Sequence, residues 1–258
     1  VATTNFWKDW SLPLTTLLID ADIFAFQACS RNEHAIKWDD DIWTLHSDEA
    51  ECKHTFDDMI DKLVKRSECD KHILCFTDRT TTNFRKTLVD PSYKANRKEV
   101  RKPLALPGLE AYAYENHRSA RYPSLEADDV IGILATKYKN CIIYSEDKDL
   151  NQIPGLHFDG KELYRVTPEA GYQFFMSQVI TGDATDGYKG CPGAGPAAAK
   201  KLLTSRAPHD YWLAIVDLYE KAGLTEEDAL TQARLARLLT HELYDADTGK
   251  VTLWSPTV

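Results

Sequence analysis

Three short apolar runs, each closed within a few residues by aspartate, constrain this chain more than any other feature. Thr15-Thr16-Leu17-Leu18-Ile19 ends at Asp20, and Ile73-Leu74-Cys75-Phe76 ends in Thr77-Asp78. Cys141-Ile142-Ile143-Tyr144 leads into Ser145-Glu146-Asp147-Lys148-Asp149. Nearly continuous apolar runs of this length predict strands covered on both faces, as in a parallel sheet between layers of helices. Ligands of such sheets bind beyond the carboxyl ends of the strands. Three strand ends would therefore deliver carboxylates to one crevice. The fold class is α/β: a central, mostly parallel twisted sheet flanked by helices.

Helical spacing fills the gaps. A helix is expected around Ile23 to Cys29 with Asp22 as its N-cap, another over Thr55 to Arg66, and a third over Leu125 to Tyr138 with Ser124 as N-cap. Glu126, Asp128 and Asp129 crowd the first turn of the third. The helix dipole favours each by ~0.3–1 kcal/mol, but adjacent acids repel one another, and a bound cation would relieve that. The stretch from Arg79 to Pro123 is long, basic and aromatic, without a clear strand. Near Val166 the character changes, which divides the chain into a domain of residues 1–165 and a helical subdomain of residues 166–258. In the latter, Thr167-Pro168 opens a helix to about Ile180; others are expected over Ala197 to Leu203, Tyr211 to Ala222 and Glu226 to Tyr244. Thr225 and Asp228 resemble a capping box. Tyr244 and Val251 to Leu253, around Asp247-Thr248-Gly249, predict a closing hairpin.

Nine acids fall at strand ends, at a helix start or in a Gly-flanked turn: Asp20, Asp78, Glu126, Asp128, Asp129, Asp147, Asp149, Asp183 and Asp186. Any one alone reads as a cap. Together they repel, and buried like charges cannot all ionise unless cations neutralise them. Oxygen ligands without His or Cys select Mg²⁺ or Mn²⁺ over zinc, and a pair of such ions is the apparatus of phosphodiester hydrolysis. An EF-hand at Asp147 fails, because Gln152 stands where Gly is needed and Phe158 where Glu is. Asp20-Ala21-Asp22 has the start of a haloacid-dehalogenase-type phosphatase motif, but Phe24 stands where Thr or Val belongs.

Gly190-x-x-Gly193-x-Gly195-Pro196 precedes a helix bearing Lys200 and Lys201. Glycines let backbone approach a phosphate, and the helix N-terminus offers free N–H groups. Neither a Walker loop nor a dinucleotide fingerprint fits, which leaves a clamp on a DNA backbone that is blind to sequence. The net charge of −9 argues against a protein that coats nucleic acid. Locally the balance reverses, with seven basic residues against two acids between Arg85 and Lys102. Arg85, Lys98, Arg101 and Lys102 are candidate phosphate contacts. Tyr93 among Lys94, Arg97 and Lys98 suits stacking on a terminal base.

In order along the chain, Leu18-Ile19-Asp20, Phe76-Thr77-Asp78, Tyr93-Lys94-Ala95-Asn96-Arg97, Glu126-Ala127-Asp128-Asp129, Asp147-Lys148-Asp149-Leu150 and Gly182-Asp183-x-x-Asp186-Gly187 with its Gly-rich sequel resemble the 5′-nuclease (flap endonuclease) superfamily. Val89 to Lys98 looks most like the 5′→3′ exonucleases of short-tailed bacteriophages. The resemblance implies a first metal at Asp20, Asp78, Glu126, Asp128 and Asp129, and a second at Asp147, Asp149, Asp183 and Asp186. It also implies Lys94 and Arg97 on the scissile phosphate, Tyr93 stacked near the 5′ end, and a helical arch around Thr87 to Tyr122. A helix–three-turn–helix at Pro168 to Leu203 would grip duplex, with K⁺ held by backbone carbonyls. The implied partner is double-stranded DNA with free, nicked or flapped 5′ ends, cut with or without further flap and RNase H activity. Alternatives are the phosphatase and a non-catalytic DNA-end-binding protein.

Six scattered cysteines, never in a CxxC pair, fit a reduced compartment, which under the resemblance is the cytoplasm of an infected bacterium. No apolar run reaches the ~20 residues that span a bilayer, and Val1 to Leu18 lacks the pattern of a secretion signal. A monomer is expected.

Overall fold

A computed structural model of the chain describes residues 15–96 and 101–256. The apolar runs become the middle of a six-stranded sheet: β1 (Thr16–Asp20), β4 (Lys71–Cys75) and β6 (Cys141–Tyr144). β1 lies at the centre, parallel to β4 on one side and β6 on the other, with Asp20 beside Cys75 and Ile19 beside Tyr144. Burial on both faces explains the missing alternation, since Leu17, Leu18 and Ile19 are fully buried. The two-residue β5 (Ser119–Ala120) extends the sheet beyond β4. β7 (Gly155–Phe158) and β8 (Leu163–Val166) extend it beyond β6, and only β8 runs antiparallel. β7 and β8 are as long as β6, but His157, Tyr164 and Arg165 interrupt their apolar runs and hide them in the sequence.

One face of the sheet is covered by α1 (Ala21–Arg31), α2 (Glu49–Ser67) and α4 (Leu106–Asn116), whose Phe24, Phe56, Ile60 and Leu109 pack on Leu17, Ile19 and Leu74. α5 (Ala127–Lys137) covers the other, with Val130, Ile131 and Leu134 against Leu18, Cys75 and Ile143. Truncating such a residue to Ala costs ~2–5 kcal/mol through lost burial and a residual cavity. Between α1 and α2, β2 (Glu33–Asp39) and β3 (Ile42–Ser47) form a hairpin exposed on both faces, so no burial pattern marks it in the sequence.

Several boundaries differ from expectation. Asp20, not Asp22, caps α1 and accepts from the Asp22 N–H at 3.2 Å. Glu126, not Ser124, caps α5 in a capping box with Asp129. α2 begins six residues before Thr55, because Asp48 caps a polar first turn. α9 (Glu226–Ala236) stops well short of Tyr244, since Leu238 and Leu239 turn away to pack beneath α5. The described part of the expected arch is docked, not free-standing: after the short α3 (Phe84–Leu88), α4 buries Leu106, Leu109 and Ala113 in the main core. Residues 97–100, with Arg97 and Lys98, lie outside the described residues.

α6 (Pro168–Thr181), α7 (Pro196–Thr204), α8 (Tyr211–Lys221) and α9 gather a separate cluster around Phe175, Val179, Ile215 and Tyr219, which Tyr93 also joins. β9 (Tyr244–Asp245) and β10 (Lys250–Val251) form the expected closing hairpin. Among the described residues no helix is long and apolar enough to cross a membrane, and all six cysteines are free.

Candidate active site

The carboxyl ends of β4, β1 and β6 open side by side on one crevice. Asp20 ends β1, Asp147 lies three residues beyond β6, and Asp128 enters from the first turn of α5. Burial first, and then repulsion from Asp22 and Asp147, pushes the Asp20 carboxyl up to about 8. Burial, Asp20 and Asp147 push Asp128 well above the usual range. These acids face one another. The same holds for Asp149, raised to about 6 by burial and by Asp147, Asp186 and Asp183. Lys148 stands 3.2 Å from Asp183, whose pKa is lowered: burial opposes this, but Lys148 and the Thr185 N–H outweigh it.

Lys94 joins the two groups. Its ammonium lies 2.6 Å from Glu126 Oε1 and 3.4 Å from Asp186 Oδ2, and its N–H donates to the Asp186 carbonyl at 2.9 Å. The residue sits in the left-handed region at φ 53°, which for a non-glycine costs about 1–3 kcal/mol. Burial would raise the Glu126 pKa, but Lys94 and Arg85 hold it below the usual range. Tyr93 corrects its expected role. Its ring is only 3% exposed, and its hydroxyl donates toward Glu126 at 3.0 Å and Asp186 at 3.1 Å. It orders carboxylates instead of offering a face to a base.

Two further assignments are overturned. Arg85, expected on DNA, is 1% exposed, and its Nη1 and Nη2 donate to Asp129 at 2.6 and 2.8 Å. The same guanidinium donates to the carbonyls of Leu235 and Arg237. Asp129, expected on a metal, is fully buried and takes a further bond from the Leu239 N–H, so its lone pairs are spent. Asp78 is likewise committed locally. Burial opposes its charge, but the hydroxyls of Thr80 and Thr81 and the N–H groups of Ser124 and Thr80 hold its pKa far down.

A family model for the 5′-3′ exonuclease, N-terminal resolvase-like domain, matches residues 15–168. The chain belongs to the 5′-3′ exonuclease family. This family member is 33% identical to the exodeoxyribonuclease of Enterobacteria phage T3, over 93% of this chain and 92% of that protein. It is 32% identical to the exonuclease of Escherichia phage T7, over 93% of each. The bacteriophage T5 flap endonuclease, solved as a pseudo-enzyme-product complex with DNA and metal ions, shares the fold at TM-score 0.58 and 16% identity, covering 86% of this chain and 89% of that one. The phosphatase reading of Asp20-Ala21-Asp22 is set aside: Asp22 accepts from the Thr77 N–H and faces Arg79 at 3.5 Å.

In this exonuclease-family chain the acids do not close into two finished cages. Among the described residues no three metal-ligating side chains stand near enough for that, and Lys94 and Lys148 supply positive charge inside the ring. The donor set still fits hard cations. It is all oxygen, Asp128 Oδ1 is buried without a hydrogen-bond partner, and so is the Tyr188 hydroxyl beside Asp149, Asp183 and Asp186. Sequence reasoning missed Tyr188, and also Gln178 on α6. Gln178 donates to Asp149 Oδ1 at 2.8 Å and accepts from Gln152 at 2.7 Å. A glutamine inside an apolar helix face was the available signal.

The Gly-rich turn divides by role. Gly182 and Gly190 cross backbone to backbone, so a Cβ on either would come within 2.3 Å of the other strand of the crossing. The Gly190 N–H is already taken by Gln232 at 3.0 Å, which removes it as a DNA contact. Gly193, at φ 77°, and Gly195 face open space, and Lys200 and Lys201 are exposed on α7. Arg101 is exposed but tethered by Glu33 at the foot of the β2–β3 hairpin.

Proposed function

We propose that the chain is a metal-dependent 5′→3′ exodeoxyribonuclease that hydrolyses phosphodiesters at the 5′ ends of double-stranded DNA, at flaps as well as blunt or nicked ends. The observation that carries this is the gathering of buried carboxyls at the strand ends, where burial and the neighbouring Asp147 push Asp20, Asp128 and Asp149 all upward, in a chain belonging to the 5′-3′ exonuclease family.

Asp20, Glu126, Asp128 and Asp147 would hold one Mg²⁺ or Mn²⁺, and Asp149, Asp183 and Asp186 a second. Bound there, the ions would make water a nucleophile at neutral pH and neutralise charge on the phosphate. The protein's own part is positioning and charge. Lys94, only partly exposed between Glu126 and Asp186, can turn its ammonium to a non-bridging oxygen of the phosphate. Arg97 is assigned the same task. Tyr93 fixes Glu126 and Asp186, and Gln178 fixes Asp149. Residues 166–258 are proposed as the duplex-gripping unit, with Gly193, Gly195, Lys200 and Lys201 on the phosphate backbone and K⁺ in the turn that carries the two glycines.

The test is a time course on 5′-labelled duplex, nicked duplex and 5′-flap DNA with Mg²⁺. Release of labelled mono- or short oligonucleotides with 5′-phosphates is expected. Binding without cleavage in Mg²⁺ and Mn²⁺ would identify a non-catalytic DNA-end-binding protein and end the proposal.

A further inference from the structure

A cavity of about 430 Å³ lies at the carboxyl ends of β4 and β5, next to the acid crevice but outside it. Its position follows from the sheet. β5 pairs in parallel with β4, so Arg121, the residue after β5, emerges at the same end as Asp78 and Arg79. Leu106 and Pro107 at the start of α4 make an apolar wall, and Tyr114, two turns on along the same face of that helix, continues it, its ring edge to face with Phe76.

The charges are unevenly partnered. Arg79 is held by Glu110, with bonds of 2.8 to 3.0 Å, and reaches back to Asp22 at 3.5 Å, so one guanidinium spans cavity and crevice. Arg121 lies over the Tyr114 ring at 4.4 Å, and neither it nor Lys102 has a carboxylate partner among the described residues. Glu115 lines the cavity as well, so the cavity's three cations exceed its two carboxylates by one charge. Arg121 and Lys102 beside a half-exposed aromatic ring, in a space of small-ligand size, match a phosphate joined to a flat base.

We infer that this cavity is a subsite for the 5′-terminal nucleotide of the DNA strand, with its base on Tyr114 and its 5′-phosphate on Arg121 and Lys102. The subsite rests on the proposed nuclease function and deepens it. It would place the terminal nucleotide at the end of the strand that neighbours the one carrying Asp20, and it predicts that the enzyme distinguishes 5′-phosphorylated from 5′-hydroxyl ends.

The test has two arms. In EDTA, where nothing is cut, calorimetry measures thymidine 5′-monophosphate and thymidine against the wild-type protein, Arg121→Ala and Lys102→Ala. The nucleotide should bind at least about tenfold more tightly than the nucleoside, and each substitution should remove most of that difference. In Mg²⁺, the preference in KM for a 5′-phosphorylated over a 5′-hydroxyl duplex should collapse in Arg121→Ala. Circular dichroism checks the fold, and Tyr114→Ala serves as a third, charge-neutral probe. Equal affinities for nucleotide and nucleoside, or variants indistinguishable from wild type in both arms, overturn the subsite while leaving cleavage by the wild type intact. Nucleotide binding of the expected pattern in a protein that cuts no DNA would instead overturn the proposed function and leave a nucleotide site.

Discussion

Arg85 and Asp129 meet in a two-pronged ion pair sealed from water between α3 and α5, with bonds of 2.6 and 2.8 Å. The guanidinium also bonds the Leu235 carbonyl in the last turn of α9 and the Arg237 carbonyl just past it. One side chain thus ties together the approach to Lys94, the helix bearing Asp128, and the end of the helical unit. Removing one partner strands a charge in the interior at a cost of about 3–5 kcal/mol. Arg85→Ala and Asp129→Asn should each lower the denaturant midpoint strongly, and Arg85→Met less. A duplex-binding loss in Arg85→Ala without loss of stability would restore its assignment to DNA.

Asp128 carries a buried carboxylate oxygen with no hydrogen-bond partner in the crevice. Asp128→Asn should abolish cleavage in Mg²⁺ while leaving duplex binding in Ca²⁺ within a few-fold of wild type. Near-normal rates would refute the role given to this carboxylate.

Lys94 bridges Glu126 and Asp186 from a strained backbone. Lys94→Ala should reduce kcat about 100- to 1000-fold, the effect of losing one charged donor to a reacting oxyanion. A change confined to KM would make it a binding residue.

Without divalent ions the acid crevice is a pH-dependent weakness. Asp20 and Asp149 are pushed up to about 8 and about 6 from an ordinary 3.8. Raised values mean that the folded state holds these protons more tightly than the unfolded chain. Their contribution to stability is complete below the ordinary value and is lost as pH climbs through 6 and then 8. In EDTA the Tm should fall between about pH 5 and pH 8.5, and Mg²⁺ should raise Tm more at the upper end. Calorimetry at the two pH values checks both signs.

Gln178 orients Asp149 and is itself held by Gln152. Gln178→Leu should weaken Mn²⁺ binding about tenfold, as loss of a group supporting a ligand does, with cleavage recoverable at high Mn²⁺. Unchanged Mn²⁺ affinity by paramagnetic resonance would reduce Gln178 to packing.

The central strands were legible because two-sided burial leaves an apolar run, and the carboxylates because each run ends in one. Which carboxylates face the crevice was not legible. Asp128 and Asp129 are neighbours in sequence, yet one helical step of 100° aims the first at Asp20 and the second at Arg85. Arg85 and Tyr93 lie in a basic, aromatic stretch that resembles a solvent-facing surface, and only long-range contacts with Asp129, Glu126 and Asp186 bury them. The β2–β3 hairpin left no trace because neither of its faces is covered.

The crossing of Gly182 over Gly190 also sets a distance. The loop carrying Asp183 and Asp186 and the loop presenting Gly193 and Gly195 touch main chain to main chain, with no side chain between them to yield. Neither can slide without the other. On the proposed reading, a duplex seated on α7 would therefore be held at one fixed offset from the acids that surround the bond to be broken.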